Sequence, residues 1–159
     1  MATQYQITYH SGPYKVQNFK EASGQSFKTG DMVVVTTDTG YIRICATGDA
    51  VLTGIALKDA TGTPGSEIPV KVIESGTLLM SSVYHATAAS AITAVTQIGA
   101  SYDPRYSTGA NYLDIGTQTD NIFTGQKHMA DDAIGTQYGR IIFTVKPTAL
   151  TGCGAVLAS

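Results

Sequence analysis

The sequence predicts a mainly β fold, a small β-barrel or sandwich, and three observations lead to this prediction. Short runs rich in β-branched residues recur at a spacing of about ten residues, as they do in small all-β domains. Gly, Asp and Thr separate the runs, which is typical of tight turns. Only one stretch of the chain has a helix-like pattern of apolar residues, so at most one short helix is expected.

Residues 1–18 are predicted to form an extended N-terminal arm. Tyr5, Ile7 and Tyr9 alternate with polar residues, and this period of two suits a strand with one apolar face. Gly12 and Pro13 then break the pattern before the rest of the chain. The segment is consistent with a separate arm and equally with the first strand of the same sheet.

Residues 19–146 are predicted to form the barrel domain. The strand-like runs in this domain occupy residues 32–35, 41–46, 51–57, 68–73, 77–80 and 140–146. Pro69 has no N–H to donate, so its strand is expected at a sheet edge or with Pro69 facing away from its neighbour. The Gly-rich residues 147–159 are predicted to be a flexible C-terminal tail.

Residues 81–138 are predicted to be a surface insertion in the barrel. The spacing of Ala88, Ile92, Val95 and Ile98 would place these side chains on one stripe of a helix. Several threonines between them lower the helix propensity, so a short helix or an irregular crossover is expected. The Gly-, Asn- and Asp-rich residues that follow predict a surface hairpin or long loop around residues 112–115.

Charge and hydropathy exclude several classes of partner. The formal net charge is −2 and the basic residues are scattered, so nucleic acid is not an expected partner. No apolar run approaches the roughly 20 residues of a membrane-spanning helix, so no membrane is expected either. The N-terminus lacks the basic and apolar regions of a secretory signal, which predicts synthesis and initial residence in a cytoplasm.

The low content of charged residues points to a protein partner. Only 14% of the residues are charged, against about 25% in typical soluble domains. Part of the surface is therefore expected to contact another protein. The alternative is a monomer whose many Thr, Ser, Asn and Gln side chains keep it in solution.

No catalytic, cofactor-binding or metal-binding site is predicted, so the chain is not expected to be an enzyme. A hydrolase elbow needs Gly-x-Ser-x-Gly, and the segment from Gly24 to Lys28 lacks the second glycine. His10, His85 and His128 stand far apart, with no Cys or carboxylate grouped around them as a metal site requires.

The remaining reactive residues have simple structural interpretations. Cys45 and Cys153 form a single possible pair, too little to define a disulfide framework, and both are expected to be free thiols. Asp131 and Asp132 are adjacent, and neighbouring carboxylates on a strand or loop tend to point apart. A solvated loop is expected there.

Two ordered sets of phrases in the sequence resemble phage head proteins. The first set is Phe27-x-x-Gly-Asp31-x-Val33-x-Val35, Leu52-Thr-Gly-Ile-Ala-Leu57-x-Asp-Ala60-x-Gly62, and Ile68-Pro-Val-x-Val-Ile73 with Gly76. It resembles the β-barrel capsid decoration proteins of tailed bacteriophages. The second set is Gln97-Ile-Gly99-x-x-Tyr102, Tyr112-Leu-Asp114, and Gly139-Arg-Ile-Ile-Phe-Thr-Val145. It resembles the C-terminal part of similar head proteins.

The resemblance implies a structural virion protein of the head-cement type. Such a protein sits on the outer capsid surface, binds the major capsid protein, bridges neighbouring capsomers and is often a homotrimer. The family has no catalytic residues to carry over, and its members are made in the host cytoplasm. On this interpretation the arm would dock on the shell or on a neighbouring copy through Tyr5, Ile7, Tyr9 and Tyr14.

An alternative interpretation is a glycan- or receptor-binding β-module of a phage head fibre. Aromatic rings are common stacking platforms in such modules, and Tyr102, Tyr106 and Tyr112 lie close together in the sequence. This alternative requires the three rings to be exposed.

Overall fold

The computed structural model describes residues 3–150, and the strands in this range form two sheets. The mainly β prediction is confirmed. The strands are β1 (Thr8–Ser11), β2 (Tyr14–Lys20), β3 (Met32–Val35), β4 (Ile42–Ile44), β5 (Gly54–Ala56), β6 (Glu67–Ile73), β7 (Leu78–Tyr84), β8 (Ser101–Ser107), β9 (Ala110–Asp114), β10 (Phe123–His128) and β11 (Arg140–Val145). Short 3₁₀ turns occupy Ala88–Ser90, Val95–Gln97 and Pro147–Ala149.

The first sheet closes into a five-stranded barrel. Its order is β7-β11-β10-β8-β9, and β9 returns to β7 through a parallel pairing of Leu113 with Val83 and of Asp114 with Tyr84. The other neighbours in the barrel are antiparallel. Strand β1 adds to β7 outside this closed set. A closed sheet has no long unpaired edge.

The second sheet is built from the first half of the chain, in the order β2-β6-β5-β3-β4, with antiparallel pairings. A parallel bridge between Glu21 and Ile42 brings the end of β2 to β4, so the sheet curls toward closure at one point. Strand β6 is an interior strand. The carbonyl of Pro69 accepts a bond from the Leu57 amide, just past the end of β5, so Pro69 faces away from β2.

Two clusters of buried residues fill the molecule. One lies inside the curled second sheet and includes Phe19, Phe27 and Ile68. The larger cluster fills the barrel around Phe123 and Phe143, whose rings meet edge to face with centroids 4.7 Å apart. This larger cluster also contains side chains of the second sheet, among them Met32, Ile55 and Ile73. The larger cluster therefore spans both sheets, and the smaller one belongs to the second sheet alone.

The N-terminal segment joins the two sheets. Strand β1 pairs with β7 of the barrel, with Thr8 opposite Met80. Strand β2 pairs along its whole length with β6 of the second sheet, from Tyr14 opposite Ile73 to Lys20 opposite Glu67. Residues 3–20, which include the described part of the predicted arm, thus form a strap across the molecule. We use the name N-terminal strap for these residues below.

Residues 81–138, predicted as a surface insertion, supply most of the barrel. They contain β8, β9, β10 and most of β7. Pro104, which suggests a turn in the sequence, lies inside β8 opposite Leu113. A proline is tolerated here because β10 pairs with β8 only at Ser101 and Tyr102, before the proline is reached.

Asp103, next to this proline, is buried and organises a loop. Its carboxylate accepts hydrogen bonds from the backbone amides of Thr119, Asp120 and Asn121. These bonds satisfy loop N–H groups that would otherwise lie unpaired beside the barrel. The loop between β9 and β10 is therefore anchored to β8.

The helix-like stretch of residues 84–98 contains no α-helix. It forms the 3₁₀ turns Ala88–Ser90 and Val95–Gln97, which lie against residues 133–137 through a bridge between Ile92 and Gln137. Within residues 3–150 no helix is long and apolar enough to cross a membrane.

The described chain ends with the turn Pro147–Ala149 and Leu150, which bridges to Leu52 and is buried. The first four residues of the predicted tail are therefore attached to the fold. The rest of that tail, residues 151–159 with Cys153, lies outside the described residues.

Candidate functional site

Four side chains of the N-terminal strap and strand β6 form a partly exposed surface, in which two members are exposed and two are half-buried. They are Tyr9, Tyr14, Val16 and Lys71, and we call them the tyrosine patch. The two tyrosine rings meet edge to face with centroids 5.2 Å apart. The Lys71 ammonium lies over both rings, 4.4 Å from the Tyr9 centroid and 4.7 Å from the Tyr14 centroid. A cation over aromatic faces is held by the ring quadrupoles.

A tight turn between β1 and β2 brings the two tyrosines together. Gly12 adopts a φ of 96°, and a Cβ at this position would approach the Gly76 carbonyl oxygen to 2.9 Å. The neighbouring Pro13 carbonyl accepts a hydrogen bond from the Thr77 hydroxyl, and the Tyr9 hydroxyl donates to the Gly12 carbonyl at 2.6 Å. The turn is thereby fixed against the β6–β7 connection.

The register of β2 against β6 places the aliphatic member of the patch. Val16 lies directly opposite Lys71, so both side chains share a face of the second sheet. Val16 is 58% exposed and Tyr14 is 46% exposed. Strand β2 is also the edge of its sheet, and Phe19 is its one buried residue. Both an apolar surface and a free backbone edge are therefore available to a partner.

The structure separates the four residues that the sequence suggested for shell contact. Tyr9 and Tyr14 meet in the tyrosine patch. Ile7 belongs to the strap, but its side chain is buried in the core and is not available for docking, and its amide donates to the Asn111 carbonyl. Tyr5 is exposed but lies elsewhere, with its ring 5.2 Å from the Arg140 guanidinium.

Tyr5 borders a shallow pocket of about 260 Å³. Arg140 and Asp132 form a two-point ion pair in its wall, with nitrogen–oxygen distances of 2.9 and 3.0 Å. The hydrogen bonds from Arg140 lower the pKa of Asp132. The sequence predicted that Asp131 and Asp132 lie together in a solvated loop. Asp132 instead binds Arg140, the first residue of β11, through hydrogen bonds to its amide and guanidinium.

The alternative stacking platform is not formed. Tyr102 and Tyr112 are buried, and only Tyr106 of the predicted three is partly accessible. The ring of Tyr112 instead stacks on Tyr84, with centroids 6.1 Å apart and an interplanar angle of 18°. Rings that pack against the barrel cannot stack on a sugar.

The reactive side chains of the described residues are used structurally. Burial raises the pKa of the Cys45 thiol, which lies in the core and makes no disulfide. His128 contacts the Ala94 carbonyl, and His85 accepts a bond from the Thr87 amide. No group of His, Cys, Asp and Glu side chains within residues 3–150 is arranged to hold a metal ion.

Sequence reasoning identified the two tyrosines of the patch but not Val16 and Lys71. The alternation of β2 was available as a signal, since Tyr14, Val16 and Asn18 fall on one face of an extended strand. Lys71 had no such signal, because its place depends on how β2 pairs with β6.

No family model matches the chain, and a search of curated proteins finds no significant match.

Proposed function

We propose that this chain is a non-catalytic structural protein of a tailed-phage virion. It binds the major capsid protein on the outer surface of the head and stabilises the shell by bridging capsomers, as a homotrimer. The observation that carries the proposal is the tyrosine patch, a partly exposed aromatic and aliphatic surface on a rigid two-sheet body. The resemblance of residues 27–146 to decoration proteins suggests that the partner is the major capsid protein.

The patch has the properties of a protein-contact centre. Tyr rings bury a large apolar area and still present a hydroxyl, and they are enriched among the residues that dominate interfaces. Tyr9 and Tyr14 are already ordered by the Gly12 turn and by Lys71, so little side-chain freedom is lost on binding. The ammonium over the two rings becomes more strongly held when a partner excludes water.

The edge of β2 adds a second means of contact. The first five residues of β2 are exposed. The backbone N–H and C=O groups on the outer edge of β2 can pair with an extended segment of the shell protein. Backbone pairing of this kind supplies affinity, and the adjacent patch supplies specificity. Because a capsid repeats its binding site many times, bridging copies gain further from multivalency.

Sedimentation of purified protein with intact phage heads lacking the chain tests the proposal. Val16→Glu places a charge in the centre of the contact, and we expect it to weaken binding by about tenfold or more. Thr63→Glu adds the same charge at an exposed turn near the other end of β6 and serves as the matched control. Heads that pull down the parent and both variants equally would contradict the role of the patch.

A pair of tyrosine variants refines the same experiment. Tyr5 and Tyr14 are almost equally exposed, at 48% and 46%, but only Tyr14 belongs to the patch. Tyr14→Ala is expected to lose more binding than Tyr5→Ala. Deletion of residues 1–18 would be a poor test, because it removes β1 and most of β2 from the two sheets.

A further inference from the structure

The pocket beside the start of the N-terminal strap combines an exposed aromatic ring with an ion pair. Its walls include Tyr5, Asp132, Thr136, Tyr138 and Arg140, and we call it the Tyr5 pocket. Its volume is about 260 Å³, just below the roughly 300 Å³ at which the usual range of ligand pockets begins. A pocket of this size suits one small ring and not an extended molecule.

Ser82 of strand β7 places the two main walls of the pocket side by side. Its hydroxyl accepts a hydrogen bond from the Tyr5 amide at 2.8 Å, and its amide donates to the Tyr5 carbonyl at 2.9 Å. On the opposite edge of β7, Ser82 pairs with Arg140 of β11. The Arg140 guanidinium thus lies 5.2 Å from the centroid of the Tyr5 ring, and Tyr5 is still 48% exposed. Much of the ring surface is therefore open to a ligand.

Tyr138 lines the same pocket in a strained backbone conformation. Its φ is 56°, in the left-handed region that residues with a side chain rarely adopt. The Tyr138 amide donates to the Ala91 carbonyl at 2.8 Å, and the Gly139 carbonyl accepts the Val83 amide at 3.0 Å, so the conformation is held from both sides. Strain of this kind is concentrated at functional sites.

The ion pair leaves a donor and an acceptor free beside each other. Arg140 Nη2 donates one of its two N–H groups to Asp132 Oδ1 at 3.0 Å. Within residues 3–150 this is the one hydrogen bond that Oδ1 accepts, and a carboxylate oxygen can accept two. The hydrogen bonds of the pair lower the pKa of Asp132 and raise the pKa of Arg140, so both side chains are charged at neutral pH.

This chemistry favours a neutral ligand with adjacent hydroxyls. Among the described residues that line the pocket, Asp132 and Arg140 carry the charges, and the two charges cancel. An anion would be repelled by Asp132 and a cation by Arg140, and a purely apolar ligand would remove water from both without replacing its hydrogen bonds. A hydroxyl both donates and accepts, so two neighbouring hydroxyls can satisfy Nη2 and Oδ1 together. The C–H face of a sugar ring also complements an exposed aromatic ring.

We propose that the Tyr5 pocket binds a neutral sugar residue, whose ring lies against Tyr5 and whose adjacent hydroxyls bind Arg140 and Asp132. The proposal goes beyond shell binding, since it concerns different residues and holds whether or not the tyrosine patch contacts a capsid. It also differs from the sugar site considered for Tyr102, Tyr106 and Tyr112, because the ring at Tyr5 is exposed where two of those three are buried.

Saturation-transfer NMR of the purified chain with a panel of neutral monosaccharides tests this proposal. The panel contains the common hexoses, deoxyhexoses and N-acetylhexosamines. At least one of them is expected to receive saturation, most strongly at the C–H protons of one ring face. The affinity should be millimolar, because a single shallow site buries little area.

Two tyrosine variants and one charge variant locate the site. Tyr5→Ala is expected to raise the dissociation constant of that sugar by about fivefold or more. Tyr14→Ala, the same change at a ring of nearly equal exposure, is expected to leave it unchanged. Asp132→Asn should weaken the neutral sugar and admit sialic acid, an anionic sugar that the parent is expected to reject. Circular dichroism melting checks that each variant is folded.

Each other result would overturn the proposal. If no sugar of the panel receives saturation, the pocket is not a sugar site. Equal binding by the parent and Tyr5→Ala, or a loss confined to Tyr14→Ala, places the sugar elsewhere. Saturation of N-acetylglycinamide in place of every sugar shows that the pocket takes a peptide amide. Failure of head binding alone, with Tyr5-dependent sugar binding intact, contradicts the proposed function and not this proposal.

Discussion

At the residue scale, Glu21 is a buried carboxylate whose charge is fully used by the fold. Its oxygens accept bonds from the Thr61 amide and hydroxyl, both at 2.8 Å, and from the Gly62 amide at 2.7 Å. Burial acts to raise the pKa of Glu21, but these hydrogen bonds together lower it below 4.5. They attach the loop after β5 to the end of β2.

The lowered pKa of Glu21 predicts an acid-sensitive contribution to stability. A carboxyl whose pKa is lower in the folded than in the unfolded state stabilises the fold above its unfolded pKa, and this contribution is lost as the pH falls through the folded pKa. We expect the free energy of unfolding to decrease below about pH 4.5. Glu21→Gln should cost about 1–3 kcal/mol at neutral pH and show a weaker dependence on acid.

Urea unfolding of the parent and Glu21→Gln between neutral and acid pH checks this prediction. The difference between the two proteins isolates Glu21, which matters because other carboxyls also titrate. Burial, followed by the charge of Asp59, raises the pKa of Asp31, so Asp31 contributes with the opposite sign. A difference that does not shrink as the pH falls would contradict the assignment.

The residue types predicted the two tyrosines of the patch. Which side chains are buried depends on how the strands pair, and a single sequence does not reveal this. Tyr5, Ile7 and Tyr9 share a period of two, yet only Ile7 is buried. The difference arises because Ile7 lies in the core, and its amide bonds to Asn111, 104 residues later in the chain. The prediction of an exposed platform at Tyr102 and Tyr112 likewise assumed that this segment is a surface loop. In the structure the two residues lie in strands β8 and β9 and are buried.

At the element scale, the N-terminal strap is part of both sheets. Strand β1 lies along the edge of β7 that β9 leaves uncovered, since β9 pairs only with Val83 and Tyr84. The Tyr5 carbonyl accepts the Ser82 amide, which continues the strap along that same edge. The strap therefore completes the wall of the barrel where the closing pair is short.

Removing the strap is expected to destabilise the whole fold. Deletion of residues 1–12 takes away β1 and the buried Ile7, and Ile7→Ala alone should lower the free energy of unfolding by about 2–5 kcal/mol. Tyr5→Ala, a truncation at an exposed site, is the control and should change it little. Thermal and denaturant melts provide the measurement. If the deletion variant is as stable as the parent, the N-terminal residues would be a free arm and not part of the two sheets.

The elements with strong local patterns were predictable, and those with weak patterns were not. Residues 32–35, 68–73 and 140–146 carry continuous or alternating apolar residues, and each contains a strand. Strands β8 and β10 carry Pro104 and Gly125, which read as breaks in a sequence. Gly125 is needed in β10, because a Cβ there would overlap the Gln97 carbonyl oxygen. Such close approaches depend on the tertiary fold.

At the scale of the whole molecule, Asn111 links the two sheets. Its side-chain oxygen accepts the Met32 amide at 3.1 Å and its side-chain nitrogen donates to the Cys45 carbonyl at 2.9 Å, all in buried surroundings. Its own carbonyl accepts the Ile7 amide. One residue of β9 thus satisfies backbone groups from the second sheet and contacts the strap.

Asn111→Leu is expected to weaken this link with little change in side-chain volume. Two buried backbone groups would lose their partners, at a cost of about 1–3 kcal/mol each. Hydrogen exchange at the Met32 amide should become faster, and calorimetry should show a lower melting temperature. Asn18→Leu, on the exposed strand β2, is the control and should cost less than about 0.5 kcal/mol. Identical melting of both variants would argue against the link.

The strap also determines when, during synthesis, the tyrosine patch can form. Tyr9 and Tyr14 leave the ribosome early, but β1 can only dock after β7 has emerged, and its register pairs Thr8 with Met80. Closure of such a long loop is slow relative to local contacts. The two tyrosines thus reach their final positions only in a chain whose barrel strands are available, so a truncated or unfinished copy would lack the assembled patch.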